Sequence, residues 1–95
     1  MKSDKDRKNT PIFSGFIKYF PLAIAEVARV SLKGQKQHKI AELYWDRSKS
    51  VNELESLARH LLHAGEFDTD GVRHSSKLAW RAMANLEKEL EKYEK

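Results

Sequence analysis

The sequence predicts an all-α domain, a small bundle of three main helices with an N-terminal aromatic arm. Two observations lead there. Apolar residues recur every three or four positions through residues 51–62 and 72–93, which is the helical period. Residues suited to helix starts and stops punctuate the chain at Pro21, Gly34, Ser50 and Gly65. A third observation bears on assembly. A chain of 95 residues is one domain, and a domain that small buries only about 60–65% of its unfolded surface. A homo-oligomer is therefore expected.

Residues 1–10 are polar, mixed in charge and without apolar period, so they read as a disordered tail. Residues 11–95 read as a single helical domain. Its first part, residues 12–20, is rich in aromatics (Phe13, Phe16, Tyr19, Phe20) and holds Gly15. It is taken as a short helical or irregular arm that packs on the core or on a neighbouring subunit.

The first main helix begins at Pro21, whose missing N–H has no partner to lose at that position. It is expected to end near Lys33, with Gly34 as the left-handed cap. Apolar residues cover most of its circumference, and Glu26, Arg29 and Lys33 form one charged seam at i, i+3, i+7. Residues 35–49 form a long connection, with a short helical turn expected at 40–44. Connections of that length are commonly functional or flexible.

The second helix opens on Ser50-Val51-Asn52-Glu53, the S-x-x-E pattern of a capping box. Val51, Leu54, Leu57, Ala58, Leu61 and Leu62 give its core stripe, and Gly65 ends it. Glu55, Arg59 and His63 repeat every fourth residue on another side, with His60 beside them. Residues 66–71 form an acidic turn in which Asp68, Thr69 or Asp70 can cap the next helix. That third helix runs from about Val72 towards Tyr93. Val72, Ser76, Ala79, Met83, Leu86, Leu90 and Tyr93 make its packing stripe, and His74, Lys77, Arg81, Asn85 and Lys88 a polar one.

Composition narrows the chemistry. Without cysteine there are no disulfides or thiolates, and zinc could be held only by histidine and carboxylates. His60 and His63 are three apart but lack the companions of a known zinc motif, and no serine sits in a nucleophile-elbow context. No apolar run approaches the roughly 20 residues needed to span a bilayer. The N-terminus lacks the apolar core of a signal peptide, so a cytoplasmic protein is expected. The net charge of +4 is concentrated in residues 29–49, which carry six positive and two negative charges. Such a region attracts an anion; a solvated basic loop is the plainer reading. If the polar seams of the three helices converge, they set carboxylates beside cations, as a metal–nucleotide site requires. Otherwise they are ordinary solvent faces with pairs such as Glu55–Arg59. Trp45, in the connection, either stacks on a base or plugs the core.

Three segments carry a family resemblance: FSGFIKYFPLAIAEVARVSLKGQKQH (13–38), WDRSKS (45–50) and ARHLLHAGEFDTDGVRHSSKLAWRAMANLE (58–87). Its most specific pieces are Arg59-His60-Leu61-Leu62 and the D-G-x-x-H from Asp70 to His74. Together they resemble the phage dATP/dGTP diphosphohydrolase N-terminal domain family, all-helical relatives of MazG-like nucleotide pyrophosphohydrolases. The resemblance implies hydrolysis of a purine deoxynucleoside triphosphate to monophosphate and pyrophosphate with Mg²⁺, in a phage-infected host cell. By position it implies Glu26 and Glu55 as catalytic acids and metal ligands, with Asp70 as a further ligand. Lys36, Trp45, Arg47, Arg59, His60, His74, Lys77 and Arg81 are the expected nucleotide contacts. MazG-like enzymes carry a second acid three residues after the first on each of two helices. Here those positions hold Arg29 and Ala58. The thinned acid set keeps open a second reading, a non-catalytic protein that sequesters a nucleotide signal. Nucleic-acid binding rests only on a pI near 9.4 and lacks a recognisable module.

Overall fold

The computed structural model describes residues 3–37 and 42–93. It is all-helical among those residues: α1 (Asp4–Lys8), a π-helical segment (Phe13–Ile17), α2 (Pro21–Gln37), α3 (Glu53–Leu62) and α4 (His74–Tyr93). The polar tail thus contains one short helix, because Ser3 caps it by accepting from the Asp6 N–H at 3.1 Å. The aromatic arm is helical and exposed, and it enters α2 through the Ile24 N–H to Phe20 C=O bond at 2.9 Å.

α2 starts at Pro21 as expected but runs through Gly34 to Gln37. Gly34 therefore does not cap the helix; it sits inside it, at a propensity cost of about 1 kcal/mol relative to alanine. Of the expected turn at 40–44, Ile40 and Ala41 lie outside the described residues, and residues 42–44 are not helical. α3 takes Asn52 as its N-cap residue, not Ser50. The Ser50–Glu53 pairing still forms, with the Ser50 hydroxyl donating to the Glu53 carboxylate. Gly65, at φ +94°, turns the chain after α3. The acidic turn closes as a small loop pinned by the Phe67–Arg73 bridge, with Gly71 at φ +83°. Its aspartates do not cap α4. They reach forward to Lys77 instead.

α4 is the spine of the domain, packing on both α3 and α2. α3 meets it with the face opposite to expectation. Most of its proposed core stripe points outward: Val51, Leu54, Ala58, Leu61 and Leu62 are exposed, Leu62 by 81%, and Leu57 is half-buried. Glu53 and Ser56 are turned in instead, with Glu53 only 4% exposed. On α4 the expected packing stripe holds only in the first half, where Ser76 is buried and Ala79, like Val72 just before the helix, is half-buried, while Met83, Leu86, Leu90 and Tyr93 are exposed. The physical reason is electrostatic. The cations Arg81 and Lys88 on α4 both meet the Glu53 carboxylate, and that contact is made only with the Glu53 face of α3 turned towards α4. Buried positions among the described residues are Ala84, Glu53, Ser56 and Ser76, one apolar and three polar.

The chain accordingly exposes 7757 Å², against roughly 5600 Å² expected for a compact monomer of this mass. Its radius of gyration of 15.0 Å exceeds the ~12.5 Å of a compact chain of this length. No single helix among the described residues is long and apolar enough to cross a membrane.

Candidate functional site

Two tryptophans organise the space between α2, α4 and the 42–52 connection. Trp80, on α4, donates its indole N–H to Ser31 Oγ on α2 at 2.8 Å, which pins the two helices together. Trp45, from the connection, meets Trp80 edge to face at 5.5 Å between ring centroids. Arg47 then stacks on the other side of Trp45 at 4.1 Å while gripping Glu91 through its Nε and Nη2 at 2.8–3.1 Å. The connection is thus fastened to α4. The Trp45 indole N–H is shielded from solvent yet meets no acceptor among the described residues, an uncommon state for a buried donor.

In front of the tryptophans lies a cleft of about 370 Å³, within the range of small-molecule sites. Tyr44, Trp45 and Trp80 supply flat apolar walls. Lys33, Lys49, Lys77 and Arg81 supply four cations, set against two carboxylates, Asp46 and Asp70. Gly34 also lines it, and nothing lies within 4 Å of where its Cβ would stand. The missing side chain leaves the backbone of α2 open to close approach by a ligand.

One end of the cleft is built by two charge networks on α4, one shared with α3 and one with the loop between the two helices. In the first, Glu53 accepts from Arg81 Nη1 at 2.9 Å, from Lys88 Nζ at 2.6 Å and from the Ser50 hydroxyl. Burial pushes the Glu53 carboxyl up, but Lys88, Ser50 and Arg81 together outweigh it and hold it below its ordinary value. In the second, Lys77 Nζ lies between Asp68 at 2.8 Å and Asp70 at 2.7 Å. The Lys77 ammonium keeps both carboxyls below the usual range. Burial pulls Lys77 itself down, and the two carboxylates more than restore it. Beside this network His60 Nδ1 lies 2.9 Å from His74 Nδ1. Burial, then the neighbouring His74 and Lys77, lower the His60 pKa.

Four of the expected nucleotide contacts line the cleft: Trp45, His60, Lys77 and Arg81. The other four do not. Lys36 is exposed on α2, Arg47 stands behind Trp45, and Arg59 bonds Ser56 Oγ at 3.1 Å. His74 lies behind His60. The expected acids are scattered within the single chain. Glu26 pairs with Arg29 at 3.1 Å on α2, and Glu55 borders a shallow depression beside Lys88 and Lys92. Asp70 holds Lys77. Glu26, Glu55 and Asp70 do not gather as one cluster of ligand atoms among the described residues of a single chain, and the Lys77 ammonium engages Asp70 at 2.7 Å. Sequence reasoning passed over Tyr44, Lys49, Gly34 and Trp80 as cleft residues. Trp80 could have been found as a lone large aromatic on the border of the polar stripe of α4.

The fold and cleft define a class: an all-α domain whose helices enclose an aromatic, cation-rich pocket. The chain belongs to the family described as dATP/dGTP diphosphohydrolase, N-terminal, whose profile matches residues 2–95. No curated protein and no solved structure matches it.

Proposed function

We propose that the cleft binds a purine deoxynucleoside triphosphate, and that the protein takes part in its hydrolysis to monophosphate and pyrophosphate. The observation that carries this reading is that aromatic walls and an excess of cations share one cleft. A purine offers its faces to Tyr44, Trp45 or Trp80. A triphosphate offers its charge to Lys33 and Lys49, and beside them to Lys77 and Arg81, which already hold Asp68, Asp70 and Glu53. The family name supplies the base class and the reaction. Nucleotide chemistry of this kind goes with a cytoplasmic place in an infected host.

Lys33 and Lys49 are the cleanest probes, because both line the cleft outside the Glu53 and Asp68–Asp70 networks, with Lys49 near enough to Asp46 to help hold its carboxyl below the ordinary value. Removing the side chain in Lys49→Ala is expected to weaken nucleotide binding by about 10-fold or more, the worth of a charge-assisted contact. Thermal stability should hardly change. Unaltered affinity would place the phosphates elsewhere.

A second reading, retention without turnover, rests on how the acids of the cleft are engaged. Asp46 accepts from the Ser48 hydroxyl at 2.6 Å and Asp70 from Lys77 at 2.7 Å. Turnover then needs carboxylates that this cleft in one chain does not gather, Glu26 and Glu55 of a neighbouring copy among them. Assembly is part of the proposal. The surface in excess of a compact monomer is of the size that obligate interfaces cover. Equilibrium dialysis against a nucleotide panel with Mg²⁺, followed by chromatography, separates the readings. Released pyrophosphate from dATP or dGTP supports hydrolysis. Intact recovery of retained nucleotide supports sequestration, and no retention of any nucleotide contradicts both.

A further inference from the structure

We propose that His60, His74 and Asp68 form a binding site for a divalent transition-metal ion of the zinc class. Each brings one ligand atom to within 4.8 Å of the other two. An ion with bonds of 2.0–2.2 Å holds its ligands roughly 3.0–3.5 Å apart, so modest side-chain rotations close the set. The two Nδ1 atoms already stand 2.9 Å apart. Two neutral imidazoles at that distance share a single hydrogen. An ion in its place engages both Nδ1 lone pairs at once, and Asp68 Oδ1, which stands 3.9 Å from His74 Nε2, turns in to complete the set.

Three elements converge to make the site. His60 comes from the last turn of α3, His74 is the first residue of α4, and Asp68 comes from the loop between them. That loop is fixed by backbone bonds from Asp68 N–H to Val72 C=O at 2.8 Å and from His74 N–H to Glu66 C=O at 3.0 Å. The carboxylate is oriented by Lys77 on Oδ2 at 2.8 Å and by the Thr69 N–H on Oδ1 at 2.7 Å. Such outer contacts fix a ligand's direction at metal centres. His74 and Asp68 are largely sheltered, with side chains 14% and 25% exposed. Two nitrogen donors and one oxygen select a zinc-class ion over Mg²⁺ or Ca²⁺, which take oxygen ligands. The site lies outside any local zinc motif because its histidines are 14 residues apart.

The ion would join α3 to α4 where little apolar packing does so, since Ala84 is the buried apolar residue among those described. His60 also lines the cleft, which sets the ion at its edge. This inference stands apart from the nucleotide reading and survives its failure.

The test uses the full chain, stripped with chelator and titrated with Zn²⁺ alone by calorimetry. One ion per chain and a raised melting temperature are expected. His60→Gln, His74→Gln and Asp68→Asn should each weaken Zn²⁺ binding by at least about 10-fold, while His63→Gln, whose ring stacks on His74 at 5.2 Å and faces Glu66 at 3.7 Å, should not. Because a ligand variant can misfold, Co²⁺ is added to the wild type as a second probe, and visible absorption of a low-symmetry nitrogen-ligated site is expected. Absence of Zn²⁺ binding, absence of the Co²⁺ bands, or equal loss in His63→Gln would overturn the assignment.

Discussion

Replacing Glu53 by glutamine is expected to lower the melting temperature by about 10–20 °C, a loss of about 2–3 kcal/mol. The side chain is 4% exposed and receives Arg81, Lys88 and the Ser50 hydroxyl. Glutamine keeps the shape but removes the charge that both cations face. Breaking a fully buried pair costs about 3–5 kcal/mol. The smaller figure applies here because Arg81 and Lys88 remain 30% and 26% exposed and water screens them. The effect has a pH signature. Glu53 is held below its ordinary value of 4.5, so its stabilisation is fully present above that pH and is lost as pH falls through the folded-state value. The gap between wild type and Glu53→Gln should therefore be constant near neutrality and shrink in acid. Melts followed by circular dichroism at fixed protein concentration check both. An unchanged melting temperature at neutral pH would show that the α3–α4 interface does not depend on this carboxylate.

The second large effect concerns assembly. On the proposal that the exposed stripes meet another copy, the double variant Leu86→Arg with Leu90→Arg should disrupt the oligomer. Both leucines are about half exposed on α4 in the single chain, so two arginines there would cost a monomer little. At an interface they would bring unpaired charge into an apolar contact, at several kcal/mol each. Light scattering is expected to give a multiple of 11.0 kDa for the wild type and a smaller species, or an unfolded one, for the variant. A wild type that runs as a clean 11.0 kDa monomer at micromolar concentration contradicts the assembly, as does a variant of unchanged mass.

Helix existence was legible because it is written locally. Pro21 opens α2, Gly65 follows the end of α3, and the apolar period of 72–93 coincides with α4 within two residues at its start. Facing was not legible. A periodic stripe tells which residues share a side and says nothing of which side turns inward. On α3 the apolar stripe was assigned to the core, whereas the inward face holds Glu53, Ser56 and His60, spaced i, i+3, i+7. In the sequence Glu53 is half of a capping box, a role that explains it locally and hides its distant cations. The polar seam chosen on α3, Glu55, Arg59 and His63, lies beside the one that meets α4. The cleft was half legible for a related reason. Trp45, His60, Lys77 and Arg81 carry chemistry wherever they stand, but Gly34 matters through the space it leaves, and Lys49 and Tyr44 through how the connection folds back. The His60–His74 pairing depends on the geometry of a turn and follows from no spacing.

The most direct test of the nucleotide cleft is tryptophan fluorescence, because both tryptophans of the chain, Trp45 and Trp80, border it. Titration with dATP or dGTP is predicted to change their emission saturably, with the midpoint shifted about 10-fold or more in Lys49→Ala. Nucleotide retained in dialysis while the emission stays constant, or a midpoint unmoved by Lys49→Ala, would contradict the assignment of this cleft.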